Sequence, residues 1–172
     1  MNEDLERRWL EGLWRDYGDR VFAYATRRVG RAHAEDVVAD VFVVAWRNRH
    51  RPPRRVLPWL YGVARKVVSE HYRATRRWES LLQRVADVGP SVGDDPGIDG
   101  VLLGSVLDQL SDLDREVLLL TAWEGLEPAD GAAAVGISGP AFRMRLTRAR
   151  RRFRELLEDQ SMNADSGQRR RG

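Results

Sequence analysis

The stretch from Ala86 to Gly100, ADVGPSVGDDPGIDG, constrains this chain more than any other. It is rich in Gly, Asp and Pro, lacks basic residues and carries no helical stripe. Such a segment buries too little apolar surface to offset the entropy of ordering it, and it reads as a flexible acidic linker over residues 85–100. The 172 residues are thereby divided into two pieces, each marginal in core size by itself. On both sides the apolar residues recur at i, i+3 and i+4, and no β-period alternation of useful length appears. The expected fold is all-α: two small helical domains over residues 1–84 and 101–158, then a disordered tail over 159–172.

In the first domain, a helix from about Asp4 to Val29 lines up Leu10, Leu13, Trp14, Tyr17, Val21, Tyr24 and Ala25, and Gly30 ends it. After a short turn comes a second helix, Ala34 to Arg47, AEDVVADVFVVAWR. Val37, Val38, Val41, Phe42, Ala45 and Trp46 form its apolar side, while Glu35, Asp36 and Asp40 crowd its first half with no base among them. Two readings of these carboxylates stand. Acids near a helix N-terminus gain roughly 0.3–1 kcal/mol each from the macrodipole; alternatively, an acidic shoulder on a basic protein is a docking surface. The neighbourhood favours docking, because RNRHRPPRR follows at once, with two prolines breaking regular structure among Arg47, Arg49, Arg51, Arg54 and Arg55. A third helix, about Leu57 to Arg77, keeps Leu57, Leu60, Tyr61, Ala64, Val67, Val68 and Tyr72 on its apolar face and leaves Arg65, Lys66 and Arg73 for the surface.

Periodicity resumes at Val101, with Leu102, Val106 and Leu110 in one short helix. Ser111 caps the next, which runs from Asp112 to about Trp123, buries Leu113, Val117, Leu118 and Leu120, and is closed by Gly125. A short helix from Pro128 to Val135, then Gly136, Ile137 and Ser138, then a long basic helix to about Leu157, have the spacing of a helix-turn-helix. Ser138 caps the long helix, and Phe142, Leu146, Ala149, Phe153 and Leu156 pack. Arg143, Arg145, Arg148, Arg150, Arg151, Arg152 and Arg154 surround the rest. The start of such a helix enters the major groove, which makes Arg143 and Arg145 candidates for base or nearby phosphate contact and the distal arginines candidates for backbone clamps. A solvated amphipathic helix is the plainer reading, yet arginines at this density repel one another unless a polyanion or acidic partner neutralises them. Upstream the charge reverses: Asp108, Asp112, Asp114, Glu116, Glu124, Glu127 and Asp130 face only Arg115 among nearby bases.

Other classes are poorly supported. The net charge is +3, and every basic residue but Lys66 and the histidines is arginine. There is no cysteine, and His33, His50 and His71 lack the close paired spacing of metal ligands, so neither metal nor cofactor is expected. The carboxylates have no nucleophile or ordered glycine loop beside them, and no catalytic residue is assigned. The charged start, MNEDLERRWL, is unlike a signal peptide, and no apolar run approaches the ~20 residues that span a bilayer. A cytoplasmic protein without membrane insertion is expected.

Three segments together resemble the extracytoplasmic-function sigma factors of the sigma-70 family, in that family's order: AEDVVADVFVVAWR, PWLYGVARKVVSEHYRATRR, and LSDLDREVLLLTAWEGLEPADGAAAVGISGPAFRMRLTRARRRFRELL. The resemblance implies an alternative sigma factor that binds core RNA polymerase, directs it to specific promoters and assists melting. Residues 1–84 would be sigma region 2 and 101–158 sigma region 4. It implies that Asp36 and Asp40, helped by Glu35, dock on the β′ clamp helices. Arg54, Arg55, Arg65, Lys66, Tyr72 and Arg73 would recognise and hold the melted minus-ten strand. Trp59 and Tyr61 would stack on exposed bases, unless Trp59 joins the core. Arg143, Arg145 and Arg148, with Ser138, Arg150 and Arg151, would meet the minus-thirty-five duplex of promoter DNA, while the acidic upstream surface approaches the β flap. Many relatives are held inactive by an anti-sigma factor covering these same surfaces.

Three positions depart from the family's usual pattern. Ala39 replaces a frequent glutamine on the docking helix, and Lys66 replaces a frequent asparagine. Gly131 stands where a larger apolar residue is usual, which predicts a loosely packed second domain, since glycine costs about 1 kcal/mol against alanine in a helix. A free-standing helix-turn-helix regulator is the main alternative, but it leaves the first domain without a task. A protein-interaction adaptor with one acidic and one basic face is the third reading.

Overall fold

A computed structural model describes residues 3–82 and 97–169, which form α-helices and no strand. Two compact units divide between Asp94 and Asp95. The first comprises α1 (Glu3–Val29), α2 (Arg31–Arg47) and α3 (Val56–Leu82), each packed on the other two. Val21 and Tyr24 from α1, Val37 and Val41 from α2, and Leu60, Tyr61 and Ala64 from α3 are fully enclosed. The Tyr24 and Tyr61 rings lie 5.1 Å apart at the centre of the bundle.

Gly30 alone joins α1 to α2, and its φ of 77° lies in the region that L side chains avoid. Because this one residue makes the turn, α2 begins at Arg31 rather than Ala34, and its first turn contains no acid. Glu35 and Asp36 therefore sit in the second turn. The macrodipole acts within the first turn, so it gives no account of these carboxylates. Three aromatic residues expected on the apolar side of their helices are also displaced outward: Trp14, Tyr72 and, on α2, Trp46, which is 36% accessible. Only the edge of Trp14 meets the Phe42 ring, at 4.8 Å between centroids, and the rest of the indole lies over Gly18, exposed. Tyr72 is exposed too, because its hydroxyl reaches back to donate to the Arg28 carbonyl at the end of α1.

The second unit comprises α4 (Gly97–Asp108), α5 (Asp112–Ala122), α6 (Pro128–Val135) and α7 (Gly139–Arg169). Residues 85–96 of the expected linker lie outside the described residues. Its last part is corrected to helix: Ile98, Val101 and Leu102 have i, i+3, i+4 spacing, and α4 starts at Gly97. Ser111 caps α5 by accepting from the Asp114 backbone N–H at 3.2 Å. Within α5, Val117 and Leu120 are buried as expected, Leu119 joins them, and Leu118 is only half-buried, packed against Val106, Leu110 and Leu156. Glu116 and Glu124 are buried, although exposed faces were expected for these acids. Glu116 lies beside Val117 and Leu120 on the inner side of α5, and the Glu124 N–H bonds back to the Leu119 carbonyl in the closing turn.

Gly136, at φ 72°, makes the helix-turn-helix corner, and Ile137 donates to the Ala132 carbonyl at 3.1 Å. The packing expectation for Gly131 is overturned. A Cβ there would stand 2.3 Å from Cζ of Phe142, whose side chain is fully buried. The ring occupies the space that a larger residue on α6 would take, so the glycine permits close packing. The last helix continues past Leu157 to Arg169, which corrects the expectation of a disordered tail for residues 159–169. No proline interrupts that stretch. Residues 170–172 lie outside the described residues.

Candidate functional site

Burial of Val37, Val38, Val41, Phe42 and Ala45 turns the opposite arc of α2 outward. At 100° per residue, that arc runs from Glu35 through Trp46, Ala39, Val43, Asp36 and Arg47 to Asp40. All these residues are exposed; Val43 and Trp46 are 46% and 36% accessible. Acids thus flank an apolar centre. Charge pattern alone missed Val43, but its position opposite the buried valines was a readable signal. Ala39, in the middle of the arc, keeps it flat.

A groove between α2 and α3 is lined by Asp36, Asp40, Glu70, His71 and Arg73. It brings Asp36 and Asp40, two of the expected docking acids, next to Arg73, one of the expected strand contacts. On α3, Trp59, Lys66 and Arg73 recur every seven residues and form one row, because two helical turns nearly restore the angle. Arg65 and Tyr72 form a second row to one side. From Val56 to Arg73 the helix rises about 25 Å. Trp59 is half-buried, so it serves the core and still presents an edge. Arg54 and Arg55 are exposed in the loop before α3.

The other loop cations are not equivalent to these. Arg49 is partly buried: its Nε bonds to the carboxylate of buried Glu6, and its guanidinium lies 4.2 Å from the Trp46 ring. His50 Nδ1 approaches the other Glu6 oxygen at 3.4 Å. The hydrogen bond from Arg49 holds the Glu6 carboxyl below the usual carboxylate range, against the opposing effect of burial.

In the second unit, Ser138 caps α7 by accepting from the Ala141 N–H at 3.3 Å, and its own O–H hydrogen can still be donated. The Arg143 guanidinium lies beside the same turn, since a Cβ at Gly139 would be 3.5 Å from its Nη1. Arg148, Arg150 and Arg151 are exposed. Arg145 is placed differently: it is half-buried and pairs with Asp114 at 2.8 Å, while Asp114 also receives the Ser111 hydroxyl at 2.8 Å. This arginine ties α7 to the start of α5. Met144, 55% accessible, and exposed Thr147 lie among the arginines on the outer face, and a search for charge passed over both. Asp108 and Asp112 are exposed and share Arg115, at 3.4 and 3.9 Å.

Among the described residues no group of side chains has the make-up of a metal site, and no helix is long and apolar enough to cross a membrane. Residues 13–78 match the model of Sigma-70 region 2, and residues 101–153 match that of Sigma-70, region 4. The chain is similar to RNA polymerase sigma factor CnrH of Cupriavidus metallidurans, with 30% identity over 81% of this chain and 82% of that protein. It is likewise similar to CarQ of Myxococcus xanthus, with 31% identity over 86% and 88%. Its fold resembles CnrH in complex with the cytosolic domain of CnrY, at a TM-score of 0.64 and 29% identity, covering 89% of this chain and 90% of that one. It also resembles RpoE of Bartonella quintana in complex with the anti-sigma factor NepR, at 0.62 and 26%, covering 91% and 98%. With both regions in one chain, the free-standing regulator is not the better-supported reading. A three-helix unit with an acid-flanked outer arc, followed by a helix-turn-helix unit rich in arginine, thus belongs to the sigma-70 family: the chain is an extracytoplasmic-function sigma factor, an alternative sigma factor that directs RNA polymerase to promoters.

Proposed function

We propose that the outer arc of α2 docks on the β′ clamp helices of core polymerase, with Glu35, Asp36 and Asp40 supplying charge around Val43 and Trp46. One observation carries this reading: α2 contributes heavily to the core of its unit and yet turns outward a strip of carboxylates and large apolar residues. Solvated helix faces have little use for an exposed Val and Trp side by side with acids, whereas a protein interface uses both.

The melted minus-ten strand lies along the row Trp59, Lys66 and Arg73, flanked by Arg65 and Tyr72 and entered from Arg54 and Arg55. Spacing along α3 suits an extended strand whose phosphates meet cations and whose bases meet an aromatic edge. Lys66, in place of asparagine, offers donors only, which favours acceptor-rich base edges or phosphate. The minus-thirty-five duplex meets α7 through Ser138, Arg143, Arg148, Arg150 and Arg151, with Met144 and Thr147 against base edges; Arg145 joins them only by leaving Asp114. The acidic face carrying Asp108 and Asp112 approaches the β flap. The chain works in the cytoplasm, performs no covalent chemistry of its own and has an anti-sigma partner, as suggested by the complexes formed by two of its structural neighbours.

Reconstitution with core polymerase tests this reading. Wild-type protein should form a stable complex and select genomic fragments that share two spaced motifs. Asp36→Lys with Asp40→Lys should remove the complex while the helical signal is retained. Full binding by that variant would refute the docking assignment.

A further inference from the structure

Glu6 lies upstream of the segment that matches Sigma-70 region 2, which begins at residue 13. Nevertheless it is one of the few buried carboxylates among the described residues, at 6% accessibility. Burying a carboxylate is costly unless it is paired and hydrogen-bonded. Both Glu6 oxygens face the start of the α2–α3 loop: one receives Arg49 Nε, and the other has His50 Nδ1 at 3.4 Å. Arg49 in turn donates to the Trp46 carbonyl at 3.0 Å and lies over the Trp46 ring. Glu6, Arg7, Leu10, Trp46 and Arg49 line one shallow groove, so α1, the end of α2 and the first loop residues are knitted together. Two further bonds tighten that turn, from Asn48 Nδ2 to the Val44 carbonyl at 2.8 Å and from the Arg51 N–H to the Asn48 carbonyl at 2.9 Å. The cations that remain exposed in the loop, Arg51, Arg54 and Arg55, all follow this anchored turn.

We propose that Glu6 is a positioning residue for the minus-ten loop: by holding Arg49 and His50 at its first turn, it sets where Arg51, Arg54 and Arg55 meet the melted strand. This rests on the assignment of the loop to the minus-ten strand. Glu6 itself touches no DNA. Arg49 is consequently an internal strut in spite of its place in a run of arginines. A loop anchored at one end loses less entropy when it binds, which is the physical gain from the contact.

The test uses the full chain in holoenzyme with core polymerase, on a promoter that the wild-type holoenzyme selects. Strand opening is read by permanganate reactivity of minus-ten thymines, and core affinity is measured in parallel. Glu6→Gln and Arg49→Gln should each lower opening by about fivefold, as expected for loss of one charge-assisted contact. The double variant should lose no more than either single one, and core affinity should stay at the wild-type level. Hydrogen exchange should show faster exchange at Asn48 and Arg51, with the amides of α3 unchanged. Arg54→Ala with Arg55→Ala serves as the reference for the loop itself. If that pair impairs opening while Glu6→Gln and Arg49→Gln do not, the anchor is overturned and the strand assignment survives. If the reference pair has no effect either, the strand assignment falls and the anchor falls with it. Should Glu6→Gln fail to fold, Arg49→Gln carries the same comparison from the less buried side of the pair, with the same expected and contrary results.

Discussion

The two arginine-rich regions of this protein look alike as sequence and differ as structures. In the α2–α3 loop, the backbone is irregular, and a carboxylate from another helix fixes the first turn through Arg49. In α7, the helix itself fixes the spacing of the arginines; Arg145 fastens the helix to its neighbour, whereas Arg151 and Arg152 pair with Glu155 inside it. Each region thus commits one cation to architecture and displays others. A run of like charges identifies a polyanion-binding surface, but only the carboxylates folded against it show which charges are displayed.

The largest expected effect lies outside both arginine regions and calibrates them. Asp36→Lys with Asp40→Lys should lower core affinity at least about a hundredfold, since like charges then oppose the partner across the interface. Co-purification with core polymerase measures it, and duplex binding by the second unit should be untouched. Next in size is the contrast between two arginines on α7. Arg143→Ala should weaken minus-thirty-five binding by about 1–3 kcal/mol if it is bidentate to guanine and leave the melting temperature unchanged. Arg145→Ala should instead destabilise its unit by about 1 kcal/mol, through loss of a partly exposed charged pair. Equal effects on binding and equal melting temperatures would erase the distinction between display and architecture.

Packing in the second unit supplies a third test. Gly131→Ala gains about 1 kcal/mol of helix propensity, but the new methyl collides with Phe142, and overpacking of that kind costs about 1–3 kcal/mol. A lowered melting temperature is expected, with recovery in Gly131→Ala combined with Phe142→Leu. The smallest effect concerns acid. Because Glu6 titrates below its ordinary value near 4.5 in the folded chain, its contribution is complete above that pH and lost as pH falls through the lowered value. Glu6→Gln should therefore show a shallower acid dependence of melting than wild type, measured below about pH 5.

Much of this was legible before any coordinates. Ser111 and Ser138 as caps, the Pro128–Val135 helix and the Gly136 corner follow from local chemistry that neighbouring elements do not override. Burial in α2 followed its period except at Trp46, which faces outward. What resisted reading was long-range. Nothing near Gly131 in sequence reveals that the Phe142 ring will stand against it, and nothing near Arg49 points to Glu6. Trp14 and Tyr72 satisfy helical spacing and still face outward, and the Tyr72 hydroxyl reaches the carbonyl at the end of α1. Val43 carries no charge, so the charge pattern of α2 does not single it out.

The single-residue joint at Gly30 has a consequence for how the proposed docking surface is aimed. With no slack between α1 and α2, the rotational setting of α2 about its own axis is locked to that of α1, as gear teeth are locked by a shared shaft. One residue inserted there would turn α2 by about 100°, carrying Asp36 and Asp40 into the buried places of Val37 and Val41, and Val38 and Phe42 into the exposed places of Ala39 and Val43. The chain would keep every residue of its interface and lose the direction in which it points.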